Sequence, residues 1–141
     1  MERFKVLVVD DEEDFVETIV KRLKDRGLDA AGGLSGREAL DFLDSNDHDV
    51  IILDVKMPGM DGIEALREIK KKRPTVEVIM LTGHGSVESG IQGLQLGAYN
   101  YIMKPVPLND LLQQMAQAYE RKLIEEDRER KARSSEIPVR T

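Results

Sequence analysis

The sequence predicts a doubly wound α/β sandwich, in which a parallel sheet of five strands carries helices on both faces. Two patterns and their order predict it. Four short apolar runs, Val6–Val9, Val50–Leu53, Val76–Leu81 and Tyr99–Met103, are continuous rather than alternating, as in strands buried on both faces of a parallel sheet. Between them, apolar residues recur at three- and four-residue spacing, which marks amphipathic helices. The two patterns alternate along the chain, and that order builds parallel strands with helical crossovers.

The elements follow in turn. Val6–Val9 is the first strand. Phe15, Ile19, Val20 and Leu23 form the apolar stripe of the first helix, which ends at Gly27, a natural C-cap. Leu28–Ala31 is a second strand with little side-chain mass. Ser35 and Glu38 form a capping box ahead of Ala39, Leu40, Phe42 and Leu43. Val50–Leu53 follows as the third strand. Asp61 caps a helix carrying Ile63, Leu66 and Ile69 that stops before Pro74. After Val76–Leu81 comes a helix over Gly85–Leu96, loosened by Gly90 and Gly93 at about 1 kcal/mol each relative to Ala. Beyond Tyr99–Met103, a last helix starts near Pro107 and carries Leu108, Leu111, Leu112, Met115, Tyr119 and Leu123.

Composition narrows the function. The 141 residues suit one domain with a single core. No apolar run approaches the roughly 18 residues of a membrane span, and the N-terminus MERFKVLVVDDEED lacks the regions of a signal peptide. The absence of cysteine excludes disulfides and thiolate metal sites and fits a reducing, cytoplasmic setting. Net charge is −6, with the acid excess ahead of Tyr119 and no basic patch interleaved with aromatics. Direct nucleic-acid binding by this chain is therefore not expected.

In a doubly wound sheet the ligand crevice lies outside the carboxyl ends of the strands. Those ends here read Asp10-Asp11, Asp54, Thr82 and Lys104. Each has a plain alternative. Asp10 or Asp11 could cap the first helix, Asp54 could accept from loop amides, Thr82 could be an ordinary strand-end hydroxyl, and Lys104 a solvated turn residue. Together they form a coherent set. Clustered carboxylates repel, and a hard divalent cation such as Mg²⁺ relieves that repulsion while accepting phosphoryl oxygens. A lysine and a hydroxyl beside it complete a phosphoryl-binding site.

The segments VLVVDDEEDF, IILDVKMPGMDG, VIMLTGHG and YNYIMKP occur in the order and spacing of one family. Over roughly residues 4–123 the chain resembles the receiver domain of two-component response regulators. The resemblance implies a flavodoxin-like fold with strand order 2-1-3-4-5 and a phosphorylation-activated switch rather than an enzyme acting on an external substrate. It implies Asp54 as phospho-acceptor from the phosphohistidine of a sensor histidine kinase or phosphotransfer protein, with self-catalysed dephosphorylation. Asp11, Asp54 and the Lys56 carbonyl are the implied Mg²⁺ ligands, with Asp10 acting through water. Thr82 and Lys104 bind the phosphoryl group, Tyr101 is the aromatic switch, and Lys104-Pro105 is cis. Lys56 and His84 flank the path of attacking water and are expected to tune the phosphoryl lifetime. The face of the fourth helix, fifth strand and fifth helix is expected to serve a homodimer or a partner.

The domain is expected over residues 1–123, a solvated helical extension over 124–133 and a disordered tail over 134–141. The acid-before-base pairs Glu126–Arg130, Asp127–Lys131 and Glu129–Arg133 support the extension. Two other classes use similar residues. A haloacid-dehalogenase-type phosphatase places its nucleophile after the first strand and its acidic pair last, the reverse of the order here. A receiver-like module that never takes phosphate usually lacks an acidic residue or the lysine, and this chain keeps all five.

Overall fold

The computed structural model describes residues 3–83 and 87–135, with the backbone alone at Val87 and Ser135. Ten elements alternate: β1 (Lys5–Val9), α1 (Glu13–Asp25), β2 (Asp29–Gly33), α2 (Gly36–Ser45), β3 (Val50–Asp54), α3 (Gly62–Lys72), β4 (Glu77–Thr82), α4 (Val87–Gln95), β5 (Asn100–Met103) and α5 (Leu108–Ser135). The strands form one sheet in the order β2-β1-β3-β4-β5, with every pairing parallel. This is the flavodoxin-like arrangement expected.

Alternation within the strands explains why their sequences read as unbroken apolar runs. Leu7, Val9, Ile51, Leu53, Val78 and Met80 point to the face covered by α2, α3 and α4. Val6, Val8, Val50, Ile52, Ile79 and Leu81 point to the face covered by α1 and α5. Both sides of each central strand are dry, so neither side tolerates the polar residue that would mark an alternating strand. In β2, at the edge, Gly32 leaves room for α1: a Cβ there would collide with Val16.

Helix ends are set by local chemistry. The Gly27 amide reaches the Lys24 carbonyl and the Leu28 amide the Leu23 carbonyl, with Gly27 at φ 86°. That pair of bonds closes a left-handed cap that glycine adopts without strain. Ser35 accepts from the Glu38 amide at 3.1 Å, while the Glu38 carboxylate accepts from Leu34 N–H, one residue before the cap. Asp61 accepts from the Glu64 amide at 2.9 Å.

The structure adjusts several expected boundaries. β2 runs on to Gly33 because its pairing with β1 continues through Val9. β4 starts at Glu77, since the Val76 amide is taken by the Arg73 carbonyl in the preceding turn. α5 extends two residues past the expected Arg133, to Ser135, and residues 136–141 of the expected tail lie outside the described residues. Of the three tail pairs, Asp127–Lys131 forms at 3.0 Å, whereas Glu126 turns back to Lys122 and Arg130 pairs with Asp127. Among the described residues no helix is long and apolar enough to cross a membrane.

Candidate functional site

β1, β3 and β4 lie side by side and end at the same pole, so their terminal residues meet. β1 delivers Asp10 and Asp11, β3 delivers Asp54, and β4 delivers Thr82. Asp10, Asp54 and Thr82 are 1%, 6% and 2% exposed, while Asp11 is exposed to solvent. Hydrophobic strands have therefore carried three polar groups to a nearly dry floor with an open rim. Lys104 follows β5, which two strands separate from β1, and the Lys104 amide bonds the Thr82 carbonyl at 2.8 Å. The Lys104-Pro105 bond is cis, as expected.

The side chains converge on a cleft of about 270 Å³ lined by Asp11, Glu12, Asp54, Lys56, Thr82 and Lys104, among others. One carboxylate oxygen from each of Asp10, Asp11 and Asp54 lies within 4.8 Å of the other two. The Lys104 ammonium stands 2.5 Å from Asp10 Oδ2 and 3.5 Å from Glu12 Oε1. A larger hollow of about 600 Å³ opens at the opposite pole, but it is lined by as many basic as acidic side chains. The chemistry lies in the smaller cleft.

Asp10 does not cap α1. That helix has Glu12 at its N-cap position with no side-chain cap bond, and Asp10 Oδ1 accepts from the Glu12 amide at 2.9 Å, leaving Oδ2 for Lys104. Among the described residues, Asp54 accepts a long 3.4 Å bond from the Lys56 amide. Burial raises its pKa from 3.8 to about 7, the neighbouring Asp10 adds to the rise, and Lys104 opposes it. Burial pulls the Lys104 ammonium down, yet its hydrogen bond to Asp10 and the charges of Asp10, Asp54 and Glu12 outweigh that and leave it raised.

The donor set fits Mg²⁺. Its atoms are hard oxygens only, three carboxylates share one site, and burial together with the neighbouring Asp10 holds Asp54 above the normal carboxylate range. Lys104 pairs with Asp10 and Glu12 there, and Asp11 and Asp54 share the same cleft.

Among the expected site residues, Asp10, Asp11, Asp54, Lys56, Thr82 and Lys104 are brought together. Tyr101 sits on β5 near the Thr82 end of β4, half-buried, with its ring against Gly90 of α4. His84 lies outside the described residues.

Three contributors escaped the sequence reading. Glu12 lines the cleft, and Phe15 places its ring 4.4 Å from the Lys104 ammonium. The third is Gly62, where a Cβ would strike the Asp54 carbonyl, so only glycine lets α3 start this close behind the strand that carries Asp54. The Asp-Gly pair at the start of α3 was a signal for the last. Glu12 and Phe15 carried none, because their partner is distant in sequence.

Comparison with known proteins agrees with this geometry. An NtrX-like response regulator of Rickettsia bellii is 39% identical over 107 residues, covering 74% of this chain and 22% of the relative. The DNA-binding transcriptional regulator NtrC of Klebsiella pneumoniae is 34% identical over 110 residues, covering 78% and 24%. The chain thus spans less than a quarter of the length of these relatives. The crystal structure of a CheY-like receiver domain protein from Methanospirillum hungatei superposes with a TM-score of 0.83 at 30% identity, covering 88% of this chain and 99% of that one. Residues 6–116 match the model of the response regulator receiver domain; with that match, the strand order and the carboxylate cluster at the sheet's carboxyl pole, the chain belongs to the receiver-domain family of two-component response regulators.

Proposed function

We propose that this receiver is switched by phosphorylation of Asp54. The convergence of Asp10, Asp11 and Asp54 within 4.8 Å, beside a lysine, carries the reading. An Asp54 oxygen attacks the phosphorus of a phosphohistidine on a sensor histidine kinase or phosphotransfer protein. The P–N bond breaks, its electron pair stays on the imidazole nitrogen, and that nitrogen takes a proton from solvent. Asp10, Asp11, Asp54 and the Lys56 carbonyl are the groups to hold Mg²⁺, Asp10 through water. Bound there, the ion neutralises the carboxylates and the incoming phosphoryl oxygens. Lys104 and the Thr82 hydroxyl receive the remaining oxygens.

Reversal needs only water. Attack at phosphorus releases inorganic phosphate and returns the Asp54 carboxylate, and Lys56 and His84 tune its rate. Capture by Thr82 draws its loop inward and leaves room for the Tyr101 ring to turn inward. The face of α4, β5 and α5 is then the surface read by a partner or a second copy, and Ile91, Leu94 and Met103 are exposed on it. Residues 1–123 form the switch in this reading, and its output lies in other segments or partners, as in a cytoplasmic signalling relay.

Incubation with acetyl phosphate and Mg²⁺ tests the assignment. The wild-type chain should take up hydroxylamine-sensitive label, and Asp54→Asn should lower it more than a hundredfold while melting cooperatively. Label retained in Asp54→Asn would sink the acceptor assignment. Continuous phosphate release without stable label points to a phosphatase, and no label at all to a silent interaction module.

A further inference from the structure

We propose that Phe15 is a positioning residue for Lys104, holding the ammonium in the cleft through the face of its ring. The proposal rests on the reading of Asp54 as acceptor and adds a residue to that reaction.

Among the described residues, three groups stand close to the Lys104 ammonium. Asp10 is 2.5 Å away and 1% exposed, Glu12 is 3.5 Å away with a side chain 70% exposed, and the Phe15 ring centroid is 4.4 Å away. An ammonium within about 6 Å of a ring centroid is attracted by the ring's negative face. These three contacts do not survive the reaction equally. Asp10 is also a member of the acidic cluster, so once a divalent cation shares its charge, its hold on Lys104 weakens. Glu12 stands in solvent, where water and salt screen an ion pair. The ring is neutral, binds no cation of the cluster, and keeps its contact.

Phe15 is well fixed for this role. It lies in the first turn of α1 and packs against the core cluster that joins α1 to the sheet. The lysine stem, by contrast, has four rotatable bonds and an ammonium that water solvates strongly. A ring standing on one side of that ammonium displaces water there and narrows its positions. Lys104 then meets the phosphoryl group already placed, rather than being recruited from solution. The ordinary role of a half-buried phenylalanine is to fill space, and the test must separate the two.

Fluorinated phenylalanines at position 15 of the full chain do so, because successive fluorines drain the ring face at nearly constant volume. The rate of Asp54 labelling by acetyl phosphate, a donor that needs no protein docking, should fall stepwise along the mono-, di- and trifluoro series. The expected loss at trifluoro is about fivefold, equal to about 1 kcal/mol in barrier height. Phe15→Tyr should keep the rate and Phe15→Leu should lose it, with melting temperatures close to wild type across the fluorinated set.

A second readout needs no metal and no activity. In the metal-free protein the Lys104 Cε protons should be shifted upfield by the ring current, and Phe15→Leu should abolish that shift. Rates flat along the fluorinated series, with loss only in Phe15→Leu, would overturn the proposal and leave a ring that fills space. Failure of the underlying reading looks different, since wild type would then take no label or Asp54→Asn would keep it.

Discussion

In the loop between α2 and β3 the imidazole of His48 is 8% exposed and tilts against the Phe42 ring, 5.2 Å between centroids. Burial lowers its pKa from 6.5. Asp29, Asp49 and Asp47 pull it back up and Lys5 pushes it further down, but burial wins. The folded protein therefore binds this proton less tightly than the unfolded chain does. The stability it contributes is complete above pH 6.5 and is lost as pH falls through the lowered value. Asp54 works in the opposite sense: with its folded pKa near 7, its contribution is complete below pH 3.8 and is lost as pH rises through 7. The two slopes oppose each other below pH 6.5, so His48 is best read in an Asp54→Asn background. There, the urea midpoint should fall as pH drops from 7.5 to 5.5, and His48→Gln should flatten that fall. An equal fall in both proteins would mean that His48 is charged in the folded state.

At the scale of elements, α4 shows how a sequence signal can be right in kind and incomplete in meaning. Gly90 and Gly93 do weaken the helix by propensity, about 1 kcal/mol each. Their reason is contact: a Cβ at Gly90 would stand 2.6 Å from Cδ2 and Cγ of Tyr101, and one at Gly93 would stand 3.3 Å from Cγ of Met80. Gly90→Ala should therefore gain none of the expected helix stability and should push the Tyr101 ring outward. Tetranitromethane modification of Tyr101, mapped by mass spectrometry, should speed up several-fold. A variant about 1 kcal/mol more stable with Tyr101 reactivity unchanged would return Gly90 to a matter of propensity. The central strands were legible because both faces are buried, whereas β5 is only half-buried, and the helix starts were legible because Ser35 and Asp61 announce their caps. The acidic cluster was legible because strand ends at one pole of a parallel sheet must meet. Glu77 was not: it opens β4 as a polar residue before an apolar run, and its partners come from α3 and α5. Phe15 was hidden for the same reason, since periodicity assigns it to the core stripe and says nothing of a lysine after the last strand.

Across the whole molecule, the two poles of the sheet use charge in opposite ways. The carboxyl pole gathers acids with too little positive charge, and the other pole pairs its charges off. There, Arg121 donates twice to Glu77, which is 3% exposed, and Lys70 stands 3.8 Å from the same carboxylate. Lys122 pairs with Asp49 at 3.1 Å and Glu126 at 3.0 Å, and Asp49 accepts from the Lys5 amide at 2.7 Å. These contacts tie β1, β3 and β4 to α5, so the cooperative fold should end near Glu126. Farther along, pairs such as Arg128–Glu125 stand in solvent. Half-buried Arg121 falls between the ~0–1 kcal/mol of an exposed pair and the ~3–5 kcal/mol lost on breaking a buried one. Arg121→Gln should therefore cost about 2 kcal/mol in urea unfolding, and Arg128→Gln less than about 0.5 kcal/mol. A double-mutant cycle of Arg121→Gln with Glu77→Gln should return a coupling of about 1 kcal/mol or more, because each partner is the other's main contact. Truncation after Arg128 should leave the midpoint almost unmoved. Equal costs at positions 121 and 128, or no coupling in the cycle, would mean that α5 behaves as one uniform helix and that this pole does not mark the edge of the cooperative unit.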